Sequence, residues 1–304
     1  MRESVQNKTS ASDDKLYTGF CQSAAKDDKV FATFRNSPVY QQILEHFDFE
    51  YGSKCLELIQ TRYTNLVLLL DQFRTSDLYG GPQTYDYPGS GPFSPSTLRY
   101  ICGAGHLIEC FGDLNQCDIV EIGVGYGGLC KILFDCSRIR SYTLIDLPEV
   151  LQLARRFLEL AAPAALRQIR FCTLDDLDSS ARWDLLVSNC ALSECVPHVQ
   201  QTYIDRAISR SKAGFITVNL RPESMHPAVL ISEISRVTKH LRAVEEKPLT
   251  CPTNFVLIWS DSALTVDTRI PPFRLKQLCY EISPRMFSLL RRINRRIRSR
   301  LNEG

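Results

Sequence analysis

Residues 118–128, which read DIVEIGVGYGG, decide the fold of this chain of 304 residues. The first five residues form a short, mostly apolar strand, and the glycines that follow allow a tight turn and a close approach of the backbone to a ligand. Residues 128–136 then have the apolar spacing of a helix, whose first N–H groups have no partner within the helix. The stretch therefore predicts a strand–turn–helix unit with a ligand site at the turn.

Strands and helices continue to alternate after this unit. The sequence predicts strands at 141–145, 169–173, 183–188, 214–220, 241–247 and 254–260, and helices at 148–161, 198–211 and 227–240. The last two strands leave no room for a helix between them, so they form an antiparallel hairpin. The predicted fold is α/β, a Rossmann-like doubly wound seven-stranded sheet with a C-terminal antiparallel hairpin.

Four segments organise the chain. Residues 1–28 are polar and expected to be partly disordered, and 29–112 are expected to form a mainly helical accessory or lid segment. Within the latter, the Gly- and Pro-rich stretch 80–95 is expected to be a loop and not an element, and Ser94 can cap a helix at 98–111. The sheet domain covers 113–262, and 263–304 form a tail.

Charge is concentrated in the tail. Residues 271–304 hold nine Lys or Arg against two Glu, although the whole chain has a net charge of only +2. Residues 284–301 place apolar side chains on one helical face and arginines on the other. Such a helix either packs on its own domain or contacts an anionic membrane surface. Nucleic acid is not expected as a partner, because aromatic platforms and a second basic patch are lacking.

The remaining composition indicates a cytoplasmic protein, with peripheral contact at the inner membrane face as the alternative. None of the twelve cysteines forms a C-x-x-C pair, which argues against a zinc ribbon, and a disulfide scaffold is improbable in a chain this large. The N-terminus lacks the apolar core of a signal peptide, and no run of about 18 apolar residues predicts a membrane span.

Two cofactor classes fit the glycine loop. Gly123, Gly125 and Gly128 satisfy G-x-G-x-x-G, and Asp146 ends the next strand, where its carboxylate can accept both hydroxyls of a ribose. A nicotinamide dinucleotide and S-adenosylmethionine (SAM) both have such a ribose. The acidic Glu121 and the terminal hairpin favour SAM, since an acid at this point would hold the ammonium of SAM and repel a pyrophosphate.

Three motifs together resemble the sugar O-methyltransferase family. They are VEIGVGYGG at 120–128, LIDLPE at 144–149 and SNCALSE at 188–194, with LRY at 98–100 and NFVLIW at 254–259 as weaker outer matches. The resemblance implies the methyltransferase type of the fold, SAM as cofactor and the hydroxyl of a sugar or glycosylated metabolite as acceptor. Cys190 departs from the family pattern, where an aromatic residue is expected.

The candidate cofactor site collects residues at the ends of the strands. Asp175 follows the third strand, where methyltransferases of this class often keep a carboxylate near the adenine amino group. Asn189 follows the fourth strand, at the edge of the sheet where doubly wound folds bind ligands. The full candidate set is Glu121, Gly123, Gly125, Tyr126, Gly127, Asp146, Leu147, Asp175 and Asn189.

Methyl transfer to a hydroxyl needs a group that takes the proton. Glu194, His198 and His226 are the candidate catalytic residues, with a helix-capping role for Glu194 and a surface position for His198 as alternatives. A divalent metal on Glu194 and Glu223 is a further alternative, but no ligand spacing supports it, and no metal-binding residue is assigned. Two other functions stay open: an NAD(P)-dependent oxidoreductase and a non-catalytic interaction protein of this fold.

Overall fold

The computed structural model describes residues 9–10, 13–221 and 224–262. The predictions that concern Glu223 and the basic tail at 263–304 lie outside the described residues. Within the described part of the chain, no helix is long and apolar enough to cross a membrane.

A layer of helices precedes the sheet. Its members are α1 (Lys15–Lys26), α2 (Asp28–Thr33), α3 (Pro38–Gln41), α4 (Phe49–Thr61), α5 (Thr64–Val67) and α6 (Leu70–Arg74). Helix α1 begins at Lys15 because the Asp14 side chain accepts a hydrogen bond from the Tyr17 N–H at 2.7 Å. Tyr17, Cys21 and Ala24 are its buried face. Part of the segment expected to be partly disordered thus forms a helix, whose apolar stripe is interrupted by many polar residues in the sequence.

The segment at 80–95 contains an element that the sequence did not predict. Strands β1 (Tyr85–Tyr87) and β2 (Gly91–Phe93) form a small antiparallel hairpin, with Tyr87 and Phe93 buried. The Gly and Pro residues of this segment predict a loop. Strands of three residues are also too short to show the alternation of apolar and polar residues that indicates a strand. Helix α7 (Pro95–Phe111) follows, and the Ser94 side chain caps it by accepting from the Thr97 N–H at 3.1 Å, as predicted.

The predicted doubly wound sheet is present. Its strands are β3 (Asp118–Ile122), β4 (Ser141–Ile145), β5 (Ile169–Cys172), β6 (Trp183–Asn189), β7 (Ser211–Val218), β8 (Arg242–Glu245) and β9 (Phe255–Ser260). They are ordered β5-β4-β3-β6-β7-β9-β8, and β9 runs antiparallel to both of its neighbours. The flanking helices are α8 (Gly128–Cys136), α9 (Pro148–Ala161), α10 (Ala191–Glu194), α11 (Pro197–Arg206) and α12 (Pro227–Val237).

Alternation along the strands divides the core between the two faces of the sheet. In β3, Ile119 packs with the N-terminal layer, whereas Val120 and Ile122 pack with the opposite face. Helix α1 packs on α9, and α4 packs on α7. The layer expected as an accessory segment therefore shares one continuous core with the sheet.

A buried arginine ties the N-terminal layer to α7. The Arg35 side chain is fully buried, and its guanidinium contacts Glu45 at 2.6 Å and Asp77 at 2.9 Å. The same guanidinium donates to the hydroxyls of Ser94 and Ser96 at the start of α7. This network fixes the turn that carries Glu45 against the beginning of α7, and both segments border a cleft at the carboxyl ends of the strands.

Candidate functional site

The glycine loop lies at the carboxyl end of β3, where space is restricted. Gly123 has a φ of +77°, and a Cβ atom there would lie 1.9 Å from the Cβ of Ala191. Gly125 has a φ of +54°, and its Cβ would lie 2.5 Å from Cδ1 of Leu44. Both positions therefore require glycine, for conformation and for contact with neighbouring elements.

Asp146 joins the loop to the end of β4. Its carboxylate accepts hydrogen bonds from the backbone N–H groups of Val124 at 2.7 Å, Gly125 at 3.3 Å and Leu147 at 2.8 Å. Burial raises the pKa of Asp146 to about 6, against the lowering effect of these three bonds. A carboxylate has about four acceptor positions, so at least one of them stays available for a ligand hydroxyl.

A cleft of about 1000 Å³ opens in front of this loop. It runs along the carboxyl ends of the parallel strands, and the turn at 42–47 and Tyr17 of α1 border it from the N-terminal layer. Eight of the predicted site residues line it: Gly123, Gly125, Asp146, Leu147, Asp175, Asn189, Glu194 and His198.

Glu121 lies on the other side of the loop. Its side chain shares the Ile119 face of β3, where it is buried and accepts a hydrogen bond from the Tyr142 hydroxyl at 2.9 Å. Burial raises the pKa of Glu121 to about 8, so this carboxyl is mostly protonated at neutral pH. It is outside the cleft lining and carries little charge, which does not match the expected contact with a cofactor ammonium.

Tyr126 and Gly127 are also absent from the cleft lining. The Tyr126 ring is fully buried, packs edge-to-face against Phe157 and lies 4.8 Å below the Arg35 guanidinium. Gly127 precedes α8 and faces Leu158, whose Cδ1 would lie 2.9 Å from an added Cβ. Both residues pack the loop onto the core, because the chain turns away from the cleft after Gly125.

His226, the third candidate catalytic residue, lies outside the cleft lining. Its Nδ1 accepts from the Ala228 N–H at 3.2 Å, which makes it the N-cap of α12. Burial lowers the pKa of His226, so the ring is neutral at pH 7, and it is not part of the cleft lining. Its interpretation as a catalytic residue is corrected to that of a helix cap, for which the following Pro227 was the available signal.

Glu194 borders the cleft but is already engaged. Its Oε1 accepts from Asn219 Nδ2 at 2.6 Å and from the Arg221 guanidinium at 2.8 Å. Both partners follow β7, so the Glu194 carboxylate links the segment after β6 to the segment after β7. These contacts do not make it the cap of the next helix. His198 lies in the first turn of α11 with its ring exposed at the cleft.

The two acidic residues after β5 differ in their contacts. Asp176 accepts a hydrogen bond from the Thr173 hydroxyl at 2.6 Å, which closes a local turn. Among the described residues, no hydrogen bond to the Asp175 side chain is found, and this side chain is exposed at the cleft. Asp175 is therefore the better placed of the two to accept from a bound ligand.

Three neighbouring side chains of the cleft lie outside the set of predicted site residues. His46 and Phe47 come from the turn before α4, and Arg99 comes from the first part of α7. The rings of His46 and Phe47 lie 4.2 Å apart, and the Arg99 guanidinium lies 5.0 Å from the Phe47 ring. Burial and the nearby charge of Arg99 lower the pKa of His46, which leaves its ring neutral at pH 7.

Cys190 also lines the cleft, in a left-handed conformation with a φ of +67°. Burial raises the pKa of its thiol to about 12, so it stays protonated. A small thiol leaves more space here than the aromatic residue expected from the family pattern. Across the described residues, no group of three or more His, Cys, Asp or Glu is arranged to hold a metal ion.

Comparisons with known proteins return structural likeness only. No family model matches the chain, and no curated protein matches it. A TehB-like SAM-dependent methyltransferase from Corynebacterium glutamicum is 16% identical with a TM-score of 0.42, over 69% of this chain and 99% of that chain. The N-terminal domain of EvdMO1, solved in the presence of SAH and D-fucose, is 12% identical with a TM-score of 0.42, over 66% of this chain and 97% of that chain.

The glycopeptide N-methyltransferase MtfA is 11% identical with a TM-score of 0.41, over 52% of this chain and 88% of that chain. At such identities and TM-scores, these likenesses do not identify a function.

Proposed function

We propose that the protein is a SAM-dependent O-methyltransferase that acts on a hydroxyl of a sugar or glycosylated metabolite. The observation that carries this proposal is the Asp146 carboxylate, which is hydrogen-bonded to the glycine loop and exposed to the cleft. A cleft of about 1000 Å³ lies at the upper end of the usual range for ligand pockets, so it has room for a nucleoside cofactor and an acceptor together.

The strand order favours SAM over a dinucleotide. Counted from β3, the order is 3-2-1-4-5-7-6 with the seventh strand antiparallel, whereas the dinucleotide-binding sheet is ordered 3-2-1-4-5-6. Glu121 no longer contributes to this choice, because it is buried and mostly protonated at neutral pH. The terminal hairpin is therefore the feature that separates the two classes.

Each part of the cleft suits one part of SAM. Asp146 accepts from the ribose, Asp175 accepts from the adenine amino group, and Asn189 borders the methionine end. Leu147 provides an apolar contact for the nucleoside. SAM supplies an electrophilic methyl group when it is bound. The residues beyond β6 then orient the acceptor hydroxyl and remove its proton.

Besides the carboxylates at the ends of β4 and β5, three groups of the cleft can accept that proton: His46, Glu194 and His198. Oε1 of Glu194 is already used by Asn219 and Arg221, and His198 lies on the exposed surface of α11. His46 is neutral and lies within the electrostatic influence of both Arg99 and Glu194. We assign the proton acceptor to His46, with Glu194 as its electrostatic partner.

Transfer of a tritiated methyl group from SAM into fractionated saccharides tests the proposal. Wild-type protein is expected to label a saccharide fraction, and Asp146→Asn is expected to label it much more slowly. Asp86→Asn on the exposed side of β1 is the matched control, and it should behave as the wild type. SAM binding without transfer to any fraction would favour the non-catalytic alternative and contradict the proposal.

A further inference from the structure

Arg99 is held rigidly at the edge of the cleft. It lies one turn into α7, whose beginning is fixed by the buried bonds of Arg35 to Ser94 and Ser96. The Phe47 ring lies 5.0 Å from its guanidinium and restricts the side chain on one side. An arginine placed in this way is preorganised, because little side-chain freedom is left to lose on binding.

Within the described part of the chain, no anionic side chain pairs directly with this cation. Arg99 makes no hydrogen bond or ion pair with any described residue, whereas Arg221, the other arginine of the cleft, is paired with Glu194. The charge of Glu246 raises the pKa of Arg99 without direct contact. The Glu246 carboxylate instead accepts hydrogen bonds from the backbone N–H and the hydroxyl of Thr250. The Arg99 guanidinium thus keeps its N–H donors for a ligand.

The position of Arg99 is on the acceptor side of the cleft. Besides the cleft, it borders a smaller cavity of about 70 Å³ together with Asn189 at the end of β6 and Thr217 in β7. Asp146, the proposed ribose ligand, ends β4, which is two strands away from β6 in the sheet. In the proposed pose the methionine end of SAM borders Asn189, so the acceptor hydroxyl lies on the side of the cleft formed by the ends of β6 and β7.

We propose that Arg99 binds an anionic group of the acceptor, so that the substrate is an acidic saccharide carrying a carboxylate or a phosphate. The planar guanidinium binds a carboxylate or a phosphate through two parallel N–H hydrogen bonds. These bonds hold the anionic group, and they also orient the substrate hydroxyl next to it. This inference rests on the proposed methyltransferase function. The carboxylate of SAM has the same chemistry, and the SAM affinity of an Arg99 variant distinguishes the two sources.

Saccharides are first separated by anion exchange into an acidic and a neutral pool. Each pool is incubated with tritiated-methyl SAM and wild-type protein, Arg99→Met, Arg99→Lys or the control Arg236→Met. Arg236 is an exposed arginine of α12 paired with Glu233, so its replacement removes one charge outside the cleft. Calorimetry measures the SAM affinity of each variant, and thermal unfolding confirms that each is folded.

Wild type and Arg236→Met are expected to label the acidic pool. Arg99→Met should lower the rate about 10- to 100-fold, which corresponds to the loss of charge-assisted hydrogen bonds, with SAM affinity unchanged. Arg99→Lys should recover part of the rate.

Two outcomes would overturn the inference while leaving the methyltransferase function intact. One is labelling of the neutral pool by wild type. The other is a loss of SAM affinity in Arg99→Met, which would assign Arg99 to the cofactor carboxylate. Binding of SAM with no label in either pool would overturn the proposed function, and this inference with it.

Discussion

Replacing Glu121 by Gln removes a buried carboxyl group that is mostly protonated in the folded protein at neutral pH. The pKa of Glu121 is raised from its ordinary value of 4.5 to about 8 by burial. The folded state therefore binds this proton more tightly than the unfolded state. Its stabilising contribution is complete below about pH 4.5 and is lost as the pH rises through about 8. Glutamine keeps an acceptor for the Tyr142 hydroxyl but cannot ionise.

The magnitude follows from the two pKa values. Between them, the free energy of unfolding of the wild type should fall relative to Glu121→Gln by about 1.4 kcal/mol for each pH unit. From about pH 5.5 to about pH 7.5 the difference is therefore expected to change by about 3 kcal/mol, as measured by urea unfolding. The contributions of other groups that titrate in this range, such as Asp146, largely cancel in this difference because both proteins contain them.

Glu159→Gln on the exposed side of α9 is the matched control and should leave the pH dependence of the wild type unchanged. A stability difference between wild type and Glu121→Gln that does not vary with pH would refute the reasoning. It would mean that Glu121 is ionised in the folded protein, and its role as the partner of a cofactor ammonium would return.

Three further outcomes are expected. Asp146→Asn should weaken SAM binding by about 1–3 kcal/mol, and the affinity of the wild type should fall as the pH drops through about 6, both measured by calorimetry. Unchanged affinity in this variant would place the ribose elsewhere. Arg35→Met leaves buried carboxylates without their cation, so urea unfolding should show a loss of about 3–5 kcal/mol, and a loss below about 1 kcal/mol would contradict the buried network. His46→Ala should lower kcat about 100-fold with SAM affinity unchanged, and a larger loss in Glu194→Gln would transfer the role of base to Glu194.

The number of strands and the bounds of several elements could be predicted from the sequence. Strands β3 and β4 and helices α8 and α9 have the predicted bounds, because each is a short run with one clear period between turn signals. The bounds are less accurate around α11 and β7. The helix ends at Arg206 and the strand begins at Ser211, earlier than predicted, because Gly214 lies inside the strand and is not its first residue.

The site could be predicted only where it follows the strands. Asp146, Asn189 and Glu194 reach the cleft because strand ends in a parallel sheet meet at one edge. His46 and Arg99 reach the cleft because the N-terminal layer packs over the sheet. Such long-range packing leaves no local pattern in the sequence from which it could be predicted. Glu121 was placed by its proximity to the glycines, although alternation along β3 turns its side chain away.

Calorimetric titration of the wild-type protein with SAM and, separately, with NADPH tests the central claim most directly. The geometry of Asp146 and the terminal hairpin predict that SAM binds at one site per chain, that Asp146→Asn weakens it, and that NADPH gives no binding heat. Binding of NADPH without binding of SAM would contradict the assignment and would make the glycine loop a dinucleotide site.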